Sequence, residues 1–192
     1  MISDLLSDKI SNVLSKYSII EEINIEYYAY IISWIIDYTF FNVLFLGLGL
    51  LLHKFLHAVI FVITLFLLRS CSGGTHAPTR IRCFVISSVI FLAVMYTCNL
   101  NSFTNPFLSQ LILFFCLIII TILSPVIPKG KKANQTQKRR LKILSIIVCL
   151  SIFVLYIFLT FVQKNEYCNI LIMCVMICTS DLVFGYIYKR FY

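Results

Sequence analysis

Charge is what this chain has least of. Only 12% of its 192 residues are Asp, Glu, Lys or Arg, while 60% are hydrophobic. That balance excludes an ordinary soluble domain. Acids are the scarcer sign, 8 against 16 bases. The three histidines are scattered, and none of the eight cysteines stands in a Cys-x-x-Cys pair. A zinc site therefore has no ligand spacing behind it, and no metal or other cofactor is expected. Residues 1–26 mix acids with bases and lack a long apolar core, so they do not read as a cleavable signal peptide.

What is present is a series of apolar runs, at roughly 27–46, 50–69, 80–98, 106–124, 142–162 and 168–188. A membrane-crossing helix needs about 20 such residues. The expected fold is all-α: a polytopic membrane protein with about six transmembrane helices. Gly47 and Gly49 are the expected turn between the first two. His53, Lys54 and His57 fall in the first two turns of the second, where Lys54 would snorkel to the interface. Before the spans, Ile2, Leu5, Leu6, Ile10, Val13, Leu14 and Tyr17 follow the rhythm of one helix face, with Asp4, Asp8, Lys9, Asn12 and Lys16 opposite. This is the pattern of an amphipathic helix lying in the membrane interface, or of one packing against the chain's own loops; the first is the expected use.

The bases set an orientation. Of the 16 Lys and Arg, only Lys54 and Lys164 fall on one side of the membrane; the rest share the other. By the positive-inside rule both termini are cytoplasmic, the chain crosses an even number of times, and the uncharged stretch Asn99–Pro106 is external. A single membrane domain over 1–192 results: an amphipathic helix at 1–26, two spans in 27–69, a cytoplasmic loop at 70–83, two spans in 84–124, a basic cytoplasmic loop at 125–142, and two spans with the tail in 143–192. The cations of that basic loop serve topology or anionic lipid. They could also recruit an acidic peptide tail, through Lys138, Arg139 and Arg140. No nucleic-acid partner is expected.

The one polar island on the cytoplasmic side is Arg69–Cys83, which contains Gly73, Gly74, His76 and Cys83. A thiol beside an imidazole is the minimum equipment of a nucleophilic cysteine. Ala77-Pro78 suits a helix start, which would put Cys83 just inside the third span, with Arg80, Arg82 and the positive helix end ready to stabilise an anion. Seven residues of continuous helix would hold the two side chains roughly 10 Å apart. His76 must therefore sit off the helix and fold back, which Gly73, Gly74 and Pro78 permit. The glycine pair would also let a substrate backbone come close. Two acids lie within spans, Asp37 and Asp181. Asp181, at a depth similar to Cys83, is either a carboxylate that orients His76 or a hydrogen-bond partner for another helix; the second use is the commoner. Cys116, Cys149, Cys174 and Cys178 read as small hydrophobes inside spans.

The island Gly73-Gly74-Thr75-His76-Ala77-Pro78 with Cys83, the Ser124-Pro125 pair closing the fourth span, the lysine-rich stretch after it and the polar N-terminal helix together resemble the accessory gene regulator B (AgrB) family. The island is the specific part; the rest matches in pattern, with Ser124 where an alanine is common. The resemblance implies a membrane cysteine endopeptidase, with His76 as general base and Cys83 as nucleophile. Its partner would be an AgrD-like precursor peptide with an amphipathic leader, a central Cys or Ser and an acidic tail. The enzyme would remove the tail through an acyl-thioester and promote closure of a thiolactone or lactone ring, giving a quorum-sensing peptide. A homodimer is also implied by the resemblance alone. Two rival readings are a small peptide exporter or permease whose polar island lines a path, and a membrane scaffold without chemistry.

Overall fold

The computed structural model describes residues 2–16, 25–73, 80–98, 106–126 and 134–191. These form seven helices: α1 (Ile2–Lys16), α2 (Ile25–Leu51), α3 (Phe55–Ser72), α4 (Arg80–Thr97), α5 (Pro106–Leu123), α6 (Gln135–Phe161) and α7 (Asn165–Phe191). Among the described residues, Phe55–Ser72, Gln135–Phe161 and Asn165–Ile187 are long and apolar enough to cross a membrane; Ile35–Leu51, Ile81–Thr97 and Phe107–Leu123 are shorter apolar helices. The chain is an all-helical, multi-pass membrane protein.

Contacts divide it into two compact units, Met1–Leu48 and Gly49–Tyr192. In the first, α1 buries Ser7 and Ser11, one turn apart, and leaves Leu6, Ile10 and Val13 exposed. These three apolar side chains stay outside the chain's own packing, as an interfacial helix requires.

In the second unit α7 packs against α3, α5 and α6. Its run Cys168–Ile172 is buried without a break, because neighbours close on all its sides. The core joins Leu68 of α3, Leu113, Leu117 and Ile120 of α5, Cys149, Ile152 and Tyr156 of α6, and Leu171, Val175, Cys178 and Leu182 of α7. Small residues let backbones approach where lipid gives no hydrophobic drive between helices. Cys149, Cys174, Cys178 and Thr179 fill that role and are buried. No disulfide joins the cysteines.

The turn between α2 and α3 differs from the expected one. Gly47 and Gly49 lie within α2, and the chain reverses at His53, which has φ 54. The His53 amide donates to Leu50 O at 3.0 Å and the Lys54 amide to Gly49 O at 2.8 Å, closing the helix end through a left-handed residue. Gly49 has a packing role instead: a Cβ there would lie 2.4 Å from Ala58 Cβ. The turn from α6 to α7 repeats the device. Gln163 has φ 59, its amide donates to Thr160 O, and the Lys164 amide donates to Leu159 O. Glycine usually supplies this conformation. With His and Gln in that place, composition gave no turn signal.

The start of α6 also differs. The helix begins at Gln135, where the Asn134 amide donates to Gln137 Oε1 at 3.1 Å. Lys138, Arg139, Arg140 and Lys142 are therefore on a helix, not in a loop.

Candidate active site

Successive helices of the second unit run antiparallel, so it has two ends. One carries Gly73, Val126, Lys142 and Asp181. The other carries Lys54, Cys98 and Glu166.

The first end is built around Gly73, which closes α3 with φ 77. Its amide donates to Arg69 O, and the Val126 amide donates to Ser72 O at 2.9 Å. Gly73 and Val126 pair as an isolated parallel bridge. A Cβ on Gly73 would stand 2.2 Å from Val126 O, so only glycine fits. The backbone that Gly73 admits is thus the chain's own. Next to it Ser124 Oγ donates to Cys71 O at 3.4 Å, and Ser72 Oγ lies 3.8 Å from Cys178 Sγ. Lys142 reaches across from α6 and donates to the carbonyls of Thr121, Ile122 and Ser124 at the end of α5.

Asp181 of α7 accepts from an Arg69 guanidinium nitrogen of α3 at 3.0 Å. Its carboxylate thereby bridges to another helix through Arg69. Lys138, Arg139 and Arg140 are all exposed. His76, Gly74, the Ala77-Pro78 helix start, residues 99–105, and Lys129, Lys131 and Lys132 lie outside the described residues.

Cys83 is the fourth residue of α4 as described, and it is half-buried. Two contacts fix how α4 lies on α3. Lys54 Nζ donates to Met95 O, and the rings of Phe61 and Phe91 meet edge-on at 5.3 Å. Cys83 lies toward the opposite end of α4 from Met95, as Arg69 lies toward the opposite end of α3 from Lys54. The thiol thus belongs to the end where Gly73 begins the segment leading to His76. Cys71, its neighbour in sequence, is buried in the last turn of α3, with Sγ 3.7 Å from Ser70 Oγ. Among the eight cysteines only Cys83 and Cys116 escape full burial.

At the other end Lys54 Nζ also lies 3.4 Å from Cys98 Sγ, and Asn169 Nδ2 donates to Cys98 O at 3.1 Å. His57 Nε2 is 2.9 Å from Glu166 Oε2. Cys98 and Cys168 do not bond to each other; Cys168 Sγ sits 3.6 Å from Thr160 Oγ1.

The accessory gene regulator B family model matches residues 7–182. The chain belongs to that family. Gly73, Cys83, Val126, Lys142 and Asp181 all fall inside the AgrB match. Accessory gene regulator protein B of Staphylococcus intermedius is 34% identical over 110 residues, 57% of this chain and 58% of that protein. An AgrB-like protein of Clostridium perfringens is 30% identical over 165 residues, 79% of this chain and 74% of its own length. Accessory gene regulator protein B of Staphylococcus saprophyticus is 26% identical over 125 residues. The match thus spans little more than half of the first of these relatives. No solved structure matches this chain.

The sequence reading missed Val126 and Lys142. Ser124-Pro125 marked the right place, but Val126 is an unremarkable apolar residue, and Lys142 was hidden among other cations.

Proposed function

We propose that this AgrB-family chain is a membrane cysteine endopeptidase that removes the acidic tail of an AgrD-like precursor peptide and helps close its core into a ring. The observation that carries the reading is the setting of Cys83. It is not buried, it lies in the first described turn of α4, and it belongs to the end of the bundle where Gly73 begins the segment that bears His76. Cys116, the other half-buried thiol, lies in the middle of α5 with no such neighbour in sequence.

His76 takes the Cys83 proton, and the sulfur attacks the carbonyl carbon of the core–tail bond. The tetrahedral intermediate collapses, the tail amine leaves with the proton from His76, and the core remains as an acyl-thioester on Cys83. A thiol of the core then attacks that thioester and releases Cys83. One thioester replaces another, so the energy is nearly balanced and exclusion of water decides between ring and hydrolysis. A site at a membrane boundary limits water. With the bases placed as they are, this end faces the cytoplasm. Lys138, Arg139 and Arg140, exposed on the first turns of α6, hold the acidic tail near the cut.

The test is cleavage of a synthetic precursor by full-length protein in proteoliposomes. Cys83→Ala and His76→Ala each leave the precursor whole, while the triple neutral variant at Lys138, Arg139 and Arg140 cleaves more weakly, with a loss that mirrors raised salt in wild type. Cutting by Cys83→Ala would sink the endopeptidase reading; a triple variant that inserts and cuts like wild type would sink the recruiting role.

A further inference from the structure

Among the described residues, two lysines cap a helix other than their own. Lys54 lies against Met95 O and Cys98 Sγ at the end of α4. Lys142 lies against Thr121, Ile122 and Ser124 at the end of α5. The last carbonyls of a helix have no partner within it. At membrane depth water does not replace that partner, so each open carbonyl is costly. An ammonium group has three donors and no acceptor, and its charge complements the negative end of the helix dipole. For Lys142 the count is three donors to three carbonyls. Of the basic residues on the first turns of α6, Lys138, Arg139 and Arg140 are exposed and Lys142 is not.

What Lys142 holds in place is the segment that clasps Gly73. Ser124, whose carbonyl it binds at 2.9 Å, is buried and donates back to Cys71 O. Two residues on, the Val126 amide bonds Ser72 O, and Val126 O fills the space where a Gly73 Cβ would stand. Three helices thus meet at one knot: α6 holds the end of α5, and the end of α5 holds the end of α3. From that end the chain runs on to His76 and then to α4 and Cys83.

We propose that Lys142 is a positioning residue of the peptidase: by capping α5 it fixes Ser124–Val126, which clasps Ser72–Gly73, the residues from which the chain continues in sequence to His76. The inference rests on the endopeptidase reading and deepens it. The groups that Lys142 bonds are backbone carbonyls of the α5 end. Lys142 acts on geometry alone, so its effect falls on kcat and not on KM, and salt does not reproduce it. A small misplacement of a general base costs a large factor in rate.

The experiment uses full-length protein in proteoliposomes and two readouts. The first is cleavage of a synthetic precursor with an amphipathic leader, a central cysteine and an acidic tail. The second is the rate at which iodoacetamide alkylates Cys83, resolved by peptide mass spectrometry, which needs no precursor. Lys142→Met lowers kcat by about tenfold or more with KM little changed, and slows Cys83 alkylation in parallel. Lys142→Arg, which keeps charge and donors, restores most of both. Lys164→Met, at the other end, changes neither. Because Lys142→Met removes a topogenic cation, Val126→Pro serves as the second variant: it deletes the amide that bonds Ser72 O and leaves every charge in place, and it shows the same two losses. Wild-type kcat in Val126→Pro, or a Lys142→Met defect confined to KM and relieved by more precursor, overturns the proposal. Cleavage surviving in Cys83→Ala would instead fell the endopeptidase reading, while the alkylation rates would still report on the clasp.

Discussion

Arg69–Asp181 and His57–Glu166 join the same two helices, α3 and α7, at opposite ends of the bundle. The first pair puts a carboxylate that is only 15% exposed against a guanidinium; the second uses a carboxylate that is 60% exposed. Around the second pair the chain turns back at once, through left-handed His53 and Gln163. Around the first, a backbone clasp and a lysine cap tie the ends of α3, α5 and α6 together. At the second end these local turns stand beside side-chain contacts between distant residues, Lys54 with Met95 and Asn169 with Cys98. At the first end the distant contacts include a backbone one, Val126 to Ser72, and Cys83 lies toward that end. The lesson is that polar groups of one kind do different work at the two ends of one helix pair.

Glycine substitutions give the widest separation between the ends. Gly73→Ala adds a methyl that would meet Val126 O at 2.2 Å and also strains a residue at φ 77. It should abolish precursor cleavage even where the protein still inserts. Gly49→Ala crowds Ala58 Cβ and should lower thermal stability by about 1–3 kcal/mol, as overpacking does, while cleavage by the folded fraction stays at the wild-type rate. Equal loss of activity in the two would erase the distinction.

The ion pairs come next. Asp181→Asn strands Arg69 near the membrane and should cost about 1–2 kcal/mol, below the full cost of breaking a buried pair because Arg69 is partly exposed. Glu166→Gln should cost about 1 kcal/mol or less, since exposed pairs contribute little. Thermal melting in one detergent ranks them, and the reverse order would contradict the contrast. Cleavage adds a second reading of Asp181. With its carboxylate held by Arg69, Asp181→Asn should keep activity within about tenfold; a loss of about 10⁴, as when the orienting carboxylate of a triad is neutralised, would assign it to His76.

Much of this was legible in the sequence. The apolar runs gave the six apolar helices in order, because hydrophobic runs of that length have few other uses. The i, i+3, i+4 rhythm of Leu6, Ile10 and Val13 gave α1 and the face it leaves outward. Of the four cysteines that read as small hydrophobes inside spans, Cys149, Cys174 and Cys178 are buried and Cys116 is half-buried. The α2–α3 turn was misplaced onto Gly47 and Gly49 because a left-handed histidine carries no compositional mark, and a glycine in a helix looks the same whether it turns the chain or admits a neighbour. The clasp of Gly73 by Val126 spans some fifty residues through backbone atoms, and backbone bonds leave no pattern in side-chain chemistry. Lys142 looked like one more topogenic cation; only its three carbonyl partners distinguish it.

The central proposal is that His76 activates Cys83 as a nucleophile, and the thiol itself reports on that. The measurement is the iodoacetamide rate of each cysteine in native membranes, read by peptide mass spectrometry in wild type and in His76→Ala. The account predicts that Cys83 reacts far faster than buried Cys71, and that His76→Ala slows Cys83 while leaving Cys71 unchanged. A Cys83 no faster than Cys71, or one whose rate is the same with and without His76, would contradict it.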